Sequence, residues 1–161
     1  MSLNSIETSS VEINQVANYI CCYLIEAGAP PSLLKLHKLL YYVQAWNLAL
    51  YDKPLFNEKF QSWVHGPVSR VIYDRFKGTK NMLSTIDRKD IPDCLDLPES
   101  VASHIGEVLE AYGDFSGTQL EELTHKELPW IKAREGLERF ERSTRAISED
   151  DMRNFYKSRL G

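Results

Sequence analysis

A chain of 161 residues with 43% apolar content can bury one full core, so it needs neither a metal nor a disulfide to hold it together. Its formal net charge, 19 − 23 = −4, does not point to nucleic acid as a partner. The charge is uneven, however: residues 35–89 carry ten Lys/Arg against four Asp/Glu (10 − 4 = +6), and residues 90–125 carry nine acids and no Lys/Arg. Such a split fits two solvated faces that attract each other within the fold, or a mild basic surface for an acidic partner.

In chain order, Ser9 or Ser10 can cap a first helix from about Val11 to Ala27, with Val16, Ala17, Ile20 and Leu24 on its apolar face. Gly28 and Pro30-Pro31 end it. Ser32 caps a second helix over Leu33–Tyr51. Its second half, Leu39 to Leu50 with Trp46, is apolar nearly all round, which predicts a central helix buried on most sides. Asp52-Lys53-Pro54 is a turn, and Pro54-Leu55 opens an extended segment. Phe60 to His65 alternates as a short strand, with Phe60, Ser62 and Val64 on one face and Gln61, Trp63 and His65 on the other. Gly66-Pro67 is expected to stop that strand and open a helix over Val68–Phe76. Residues 79–97 have no period; Met82–Ile86 and Ile91–Leu95 are candidate extended pieces.

Pro98-Glu99 starts a helix that runs to Tyr112, with His104 expected on its exposed face, and Gly113 stops it. Ser116 caps a short helix to about Thr124, and Pro129-Trp130 begins another turn or two. Residues 136–146 alternate charge and read as surface. Ser148-Glu-Asp-Asp151 is a capping box for a final helix bearing Met152, Phe155 and Tyr156. The expected fold is mainly α: one domain over 1–161, compact around the central helix, with a minor β element near residues 55–65. Residues 1–10 are expected to be flexible, and 136–161 to form a C-terminal extension with the final helix.

Cys21, Cys22 and Cys94 predict no disulfide framework. Adjacent helical cysteines point about 100° apart. Cys21 and Cys22 read as core fillers, and Asp93 and Asp96 flank Cys94 with charge that disfavours its thiolate. No apolar run is long enough to span a membrane, and Met1-Ser-Leu-Asn-Ser lacks the features of a signal peptide, so a reducing cytoplasm is the expected compartment. His37, His65, His104 and His125 match no helical metal-ligand spacing, so neither a metal nor an organic cofactor is expected; His37 reads as a partly buried, satisfied histidine. Nucleotide-binding and nucleophile-elbow motifs are absent from the chain. Glu127 is the carboxylate best placed for acid–base chemistry, and a small hydrolase or nuclease using His65, His125 and Glu127 is one reading of the chain.

Two dense aromatic–histidine segments stand out: Trp63-Val-His65-Gly66-Pro67, and Thr124-His125-Lys-Glu127-Leu-Pro129-Trp130. Each fits a capped corner with its tryptophan plugged into the core. Each also fits an anchor on a binding surface, where aromatic residues concentrate the energy.

These segments, with Leu36-x-Lys38-Leu39-Leu40-Tyr41-Tyr42-x-Gln44, Pro54-Leu55-Phe56 and Tyr73, resemble the Panacea domain of the SocA-like, phage-associated (GepA-like) family over about Glu12–Tyr156. The resemblance implies a small, mostly helical protein of prophages and bacterial chromosomes. It also implies an antitoxin that binds and neutralises a toxin encoded by an adjacent gene. The SocA-like branch implies a proteolytic adaptor that hands its toxin to an AAA+ protease, and a prophage protein that binds another host or phage protein is the alternative. The resemblance carries over no catalytic residue and no cofactor, and no appended DNA-binding domain is expected. Trp63, His65, Gly66, Pro67, Tyr73, His125 and Trp130 are the candidate partner-binding residues.

Overall fold

A helix with apolar side chains on every side can only be stable if other elements cover it. In the computed structural model, which describes residues 11–160, the chain wraps around such a helix. The elements are α1 (Ile13–Glu26), α2 (Leu33–Tyr51), β1 (Phe60–Trp63), β2 (Gly66–Ser69), α3 (Arg70–Phe76), a 3₁₀ turn (Arg88–Asp90), α4 (Glu99–Tyr112), α5 (Gly117–His125), α6 (Leu128–Ala133) and α7 (Glu149–Lys157). α2 is the central helix; α1, α4, α5, α7 and β2 pack directly against it, and α7 runs most extensively along it. Leu36, Leu39, Leu40, Tyr42, Val43 and Ala45 are fully buried. The mainly α fold with a minor β element is the one that the sequence predicts.

α2 begins at Ser32, whose hydroxyl accepts from the Lys35 N–H at 3.1 Å. The next free N–H groups of the first turn, those of Leu33 and Leu34, donate to the carbonyls of Ser84 and Met82. The aperiodic 79–97 segment therefore caps the central helix rather than forming the two extended pieces expected of it. It contributes one isolated bridge, Ser32 to Thr85, and buries Ile86 and Ile91. α1 starts later than expected, with Glu12 and Gln15 forming a reciprocal capping box. Ser9 and Ser10, and the expected flexibility of residues 1–10, lie outside the described residues.

The Gly66-Pro67 corner differs from expectation. The strand turns at Val64-His65, and Gly66–Ser69 returns as β2, antiparallel to β1, with Trp63 opposite Gly66 and Ser62 opposite Pro67. Pro67 is tolerated because it sits opposite Ser62 at a non-hydrogen-bonded position of the ladder, where a backbone N–H would point away from β1. The Ser62 N–H points the other way, to the Arg145 carbonyl at 2.8 Å. Only at Ser69, whose hydroxyl caps Ile72, does the helix begin. Residues 145–147 lie along the other edge of β1, with Gln61 bridged to Ala146 and the Ile147 N–H on the Phe60 carbonyl.

Two further expectations are corrected. Cys22 and Cys94 are joined by a disulfide, with Cα atoms 6.0 Å apart, and Cys21 alone stays free and buried. The 91–94 segment doubles back over α1, which an aperiodic stretch cannot reveal in sequence. His104 is buried, not exposed; its Nε2 lies 2.9 Å from the Val43 carbonyl, where α4 lies against α2. Among the described residues no helix is long and apolar enough to cross a membrane.

Leu40→Ala removes a fully buried side chain from the central helix. It is expected to cost ~2–5 kcal/mol in urea unfolding, through lost transfer energy and the cavity left behind. The Cys22–Cys94 bridge spans 72 residues of sequence. On loop-closure entropy, Cys94→Ser or added reductant is expected to lower unfolding free energy by about 4 kcal/mol. Identical denaturation midpoints with and without reductant would contradict that.

Candidate functional site

The hairpin tip and the α5–α6 corner come together. The indole Nε1 of Trp130 donates to the Trp63 carbonyl at 2.8 Å. His125 stacks on Trp130, with ring centroids 4.1 Å apart and planes 23° from parallel. The Arg134 guanidinium sits 5.2 Å from the centre of the same indole ring. Trp63 is half-buried, tilted against Tyr73 at 4.9 Å, and its own Nε1 donates to Gln61. His65, at the tip, is exposed, with Nδ1 3.3 Å from the Glu121 carboxylate. The five aromatic and histidine candidates thus lie in one neighbourhood. Gly66 and Pro67 do not share their exposure; both are buried on the inner side of the hairpin.

The reason is Lys38. This residue of α2 is fully buried beneath the hairpin, and its ammonium donates to the Pro67 carbonyl at 3.0 Å. Gly66 has φ +97°, in the left-handed region, and a Cβ there would come 2.8 Å from Lys38 Cε and 2.9 Å from Thr124 Oγ1. A glycine is required on both counts. Next along β2, the Ser69 N–H donates to Nδ1 of His37 at 3.3 Å. That bond requires the His37 Nδ1 to be unprotonated, and burial beside Lys38 holds its pKa well below the usual histidine value. His37 is fully buried rather than partly so, and it is not fully satisfied, since its Nε2 has no hydrogen-bond partner among the described residues. Burial also lowers Lys38 to about 7, with the Glu121 carboxylate opposing the shift. His125 is lowered by burial too, again against Glu121.

Glu127 turns away from the histidines. Its Oε1 accepts from the hydroxyls of Tyr42 and Tyr156, each at 2.7 Å, and the Tyr156 hydroxyl lies 3.1 Å from that of Tyr41. Burial raises its pKa against those two hydrogen bonds. It is thus a tie between α2, α6 and α7, and it is not in line with His65 and His125. Among the described residues, no three His, Cys, Asp or Glu side chains come together in a metal-ligating arrangement.

Arg134 was not legible in the sequence as a contributor. Arg134 is almost fully buried; its guanidinium donates to the carbonyls of Ser62, Glu138 and Glu141 at 2.8, 3.2 and 2.6 Å. It thereby pins the 138–141 loop to β1. That loop and the hairpin enclose a groove of about 570 Å³ lined in part by Trp63, Tyr73, Phe140 and Arg142. The charge alternation of residues 136–146 showed an exposed segment, and most of these residues are exposed. No sequence signal showed which side chain anchors it.

The fold is a helical domain that presents a buttressed β-hairpin, with Glu127 engaged in structural bonds. Residues 36–131, more than half of the chain, match the family model described as "Antitoxin SocA-like, Panacea domain". The chain is 31% identical over 127 residues to Antitoxin SocA of Caulobacter vibrioides (strain NA1000 / CB15N), covering 74% of this chain and 68% of that protein. No solved structure matches. The chain belongs to the SocA-like Panacea-domain family of antitoxins.

Because Lys38 is neutralised more easily in the folded than in the unfolded state, the unfolded chain binds the extra proton between about pH 7 and the usual lysine range. Stability is therefore expected to rise with pH from 7 to about 9, by up to about 1.4 kcal/mol per unit. Above that, burial of Cys21, raised to about 12, acts in the opposite direction. Lys38→Met should remove the rise when unfolding free energy is measured by urea titration at each pH.

Proposed function

We propose that this protein neutralises a protein toxin encoded by the adjacent gene, by stoichiometric binding and without turnover. The observation that carries this reading is the hairpin tip. There Trp63 and His65 reach the surface on a hairpin whose turn is locked by Gly66 and Lys38 and backed by Trp130 and His125, and Tyr73 of α3 packs against Trp63. A rigid aromatic anchor loses little side-chain freedom on binding, and binding energy concentrates in such residues. The family's antitoxin character supports a protein toxin as the occupant. In this proposal Trp63, His65 and Tyr73 touch the partner. Gly66, Pro67, His125 and Trp130 hold them in place.

Co-expression with the product of the adjacent gene tests this. The wild type is expected to restore growth. Trp63→Ala is expected to abolish protection with an unchanged far-ultraviolet circular dichroism spectrum, since truncating such an anchor costs ~2 kcal/mol or more. A neighbour that is harmless when expressed alone contradicts the toxin reading. Full protection by folded Trp63→Ala places the interface elsewhere.

A further inference from the structure

The groove beside the hairpin has a chemistry of its own. Trp63 and Tyr73 line it together with Phe140, Arg142 and Ser143 of the C-terminal loop. Phe140 is 74% exposed, the second most exposed large apolar side chain among the described residues, and it lines the same groove as the two aromatic rings. No carboxylate lines the groove, whereas Arg70, Arg142 and His65 do. Arg70 is partly engaged by Asp74 at 3.3 Å, and His65 faces Glu121. Arg142 makes no ion pair or hydrogen bond to the described residues. An aromatic lining with a guanidinium unpaired among the described residues suits an apolar side chain flanked by carboxylates.

We infer that this groove seats an acidic segment of a partner protein, with one apolar side chain between Trp63, Tyr73 and Phe140 and carboxylates on Arg142 and Arg70. The identity of that partner as the toxin rests on the function proposed above; the chemistry of the groove does not. A nucleic acid fits less well. Two arginines supply few phosphate contacts, and the chain as a whole is anionic at −4.

The test uses the full chain and fluorescence anisotropy. Three fluorescein-labelled probes are compared: a peptide of about nine residues with a Leu-Trp pair flanked by glutamates, the same peptide with lysines, and a single-stranded oligonucleotide of similar length. The acidic peptide is expected to bind at least about tenfold more tightly than the other two. Arg142→Glu should abolish that preference, and Phe140→Ala should weaken the acidic peptide by about tenfold. Both side chains are exposed, so circular dichroism and melting should stay at wild-type values. Equal binding of the two peptides, no binding by about 1 mM, unchanged binding by either variant, or an oligonucleotide that binds as tightly as the acidic peptide overturns the inference. In the growth assay, a wild type that protects alongside Arg142→Glu and Phe140→Ala that protect equally well overturns the groove and leaves toxin neutralisation standing. A harmless neighbour overturns the toxin reading, and the peptide arm then decides the groove alone.

Discussion

The molecule depends on four buried or nearly buried polar side chains on one apolar helix. Along α2, His37, Lys38, Gln44 and Asn47 are buried, and every one of them is bonded to the main chain of residues 53–69. Gln44 alone takes the N–H groups of Leu55 and Phe56 on its oxygen and gives its own amide hydrogen to the Phe56 carbonyl. A buried polar group without a partner costs about 1–3 kcal/mol, so each of these bonds is obligatory for both sides. The segment between α2 and α3 has only a two-stranded hairpin as regular structure. It is held in place because the helix beneath it supplies the donors and acceptors that a larger sheet would have supplied.

The hairpin gains a second set of restraints from the C-terminal half of the chain. Thr124 closes over Gly66, and Trp130 reaches the Trp63 carbonyl. Glu127, between them, is fastened to tyrosines of α2 and α7. Within seven residues, 124–130, the chain alternates between bonding inward to the core and outward to the hairpin. Two aromatic pairs continue the inward tie: Tyr42 stacks on Tyr112 at 4.1 Å, and Trp46 donates to the Tyr112 hydroxyl at 2.8 Å. The site is therefore composite, resting on α2 from below and on α5–α6 from the side.

Helices were legible in the sequence wherever a cap residue met a clean period. Ser32, Ser116 and Ser148 mark their helix starts, and each hydroxyl accepts the expected N–H. The hairpin was half legible. Alternation over Phe60–Trp63 showed β1, but Gly66-Pro67 has the composition of a stop, and only the outward-facing N–H of Ser62 explains why a strand can continue through it. Lys38 shows the limit most clearly. A lysine in a helical repeat reads as solvent-facing, and its burial follows from the hairpin that covers it. The Cys22–Cys94 link and the inward turn of His104 are likewise products of packing between elements far apart in the chain. So is the meeting of Trp63, His65 and Tyr73 with His125 and Trp130.

Arg134 hydrogen-bonds only to carbonyl oxygens, those of Glu138, Arg139 and Glu141 in the loop and of Ser62 in β1. Main-chain oxygens are common to every amino acid, so that grip does not depend on which side chains the loop turns outward. Side chains at 140, 142 and 144 can be exchanged while the backbone path survives. Such a design separates architecture from selectivity: one scaffold can be retuned by drift at a few outward positions, and descendants of one ancestor could acquire different molecular targets without having to refold.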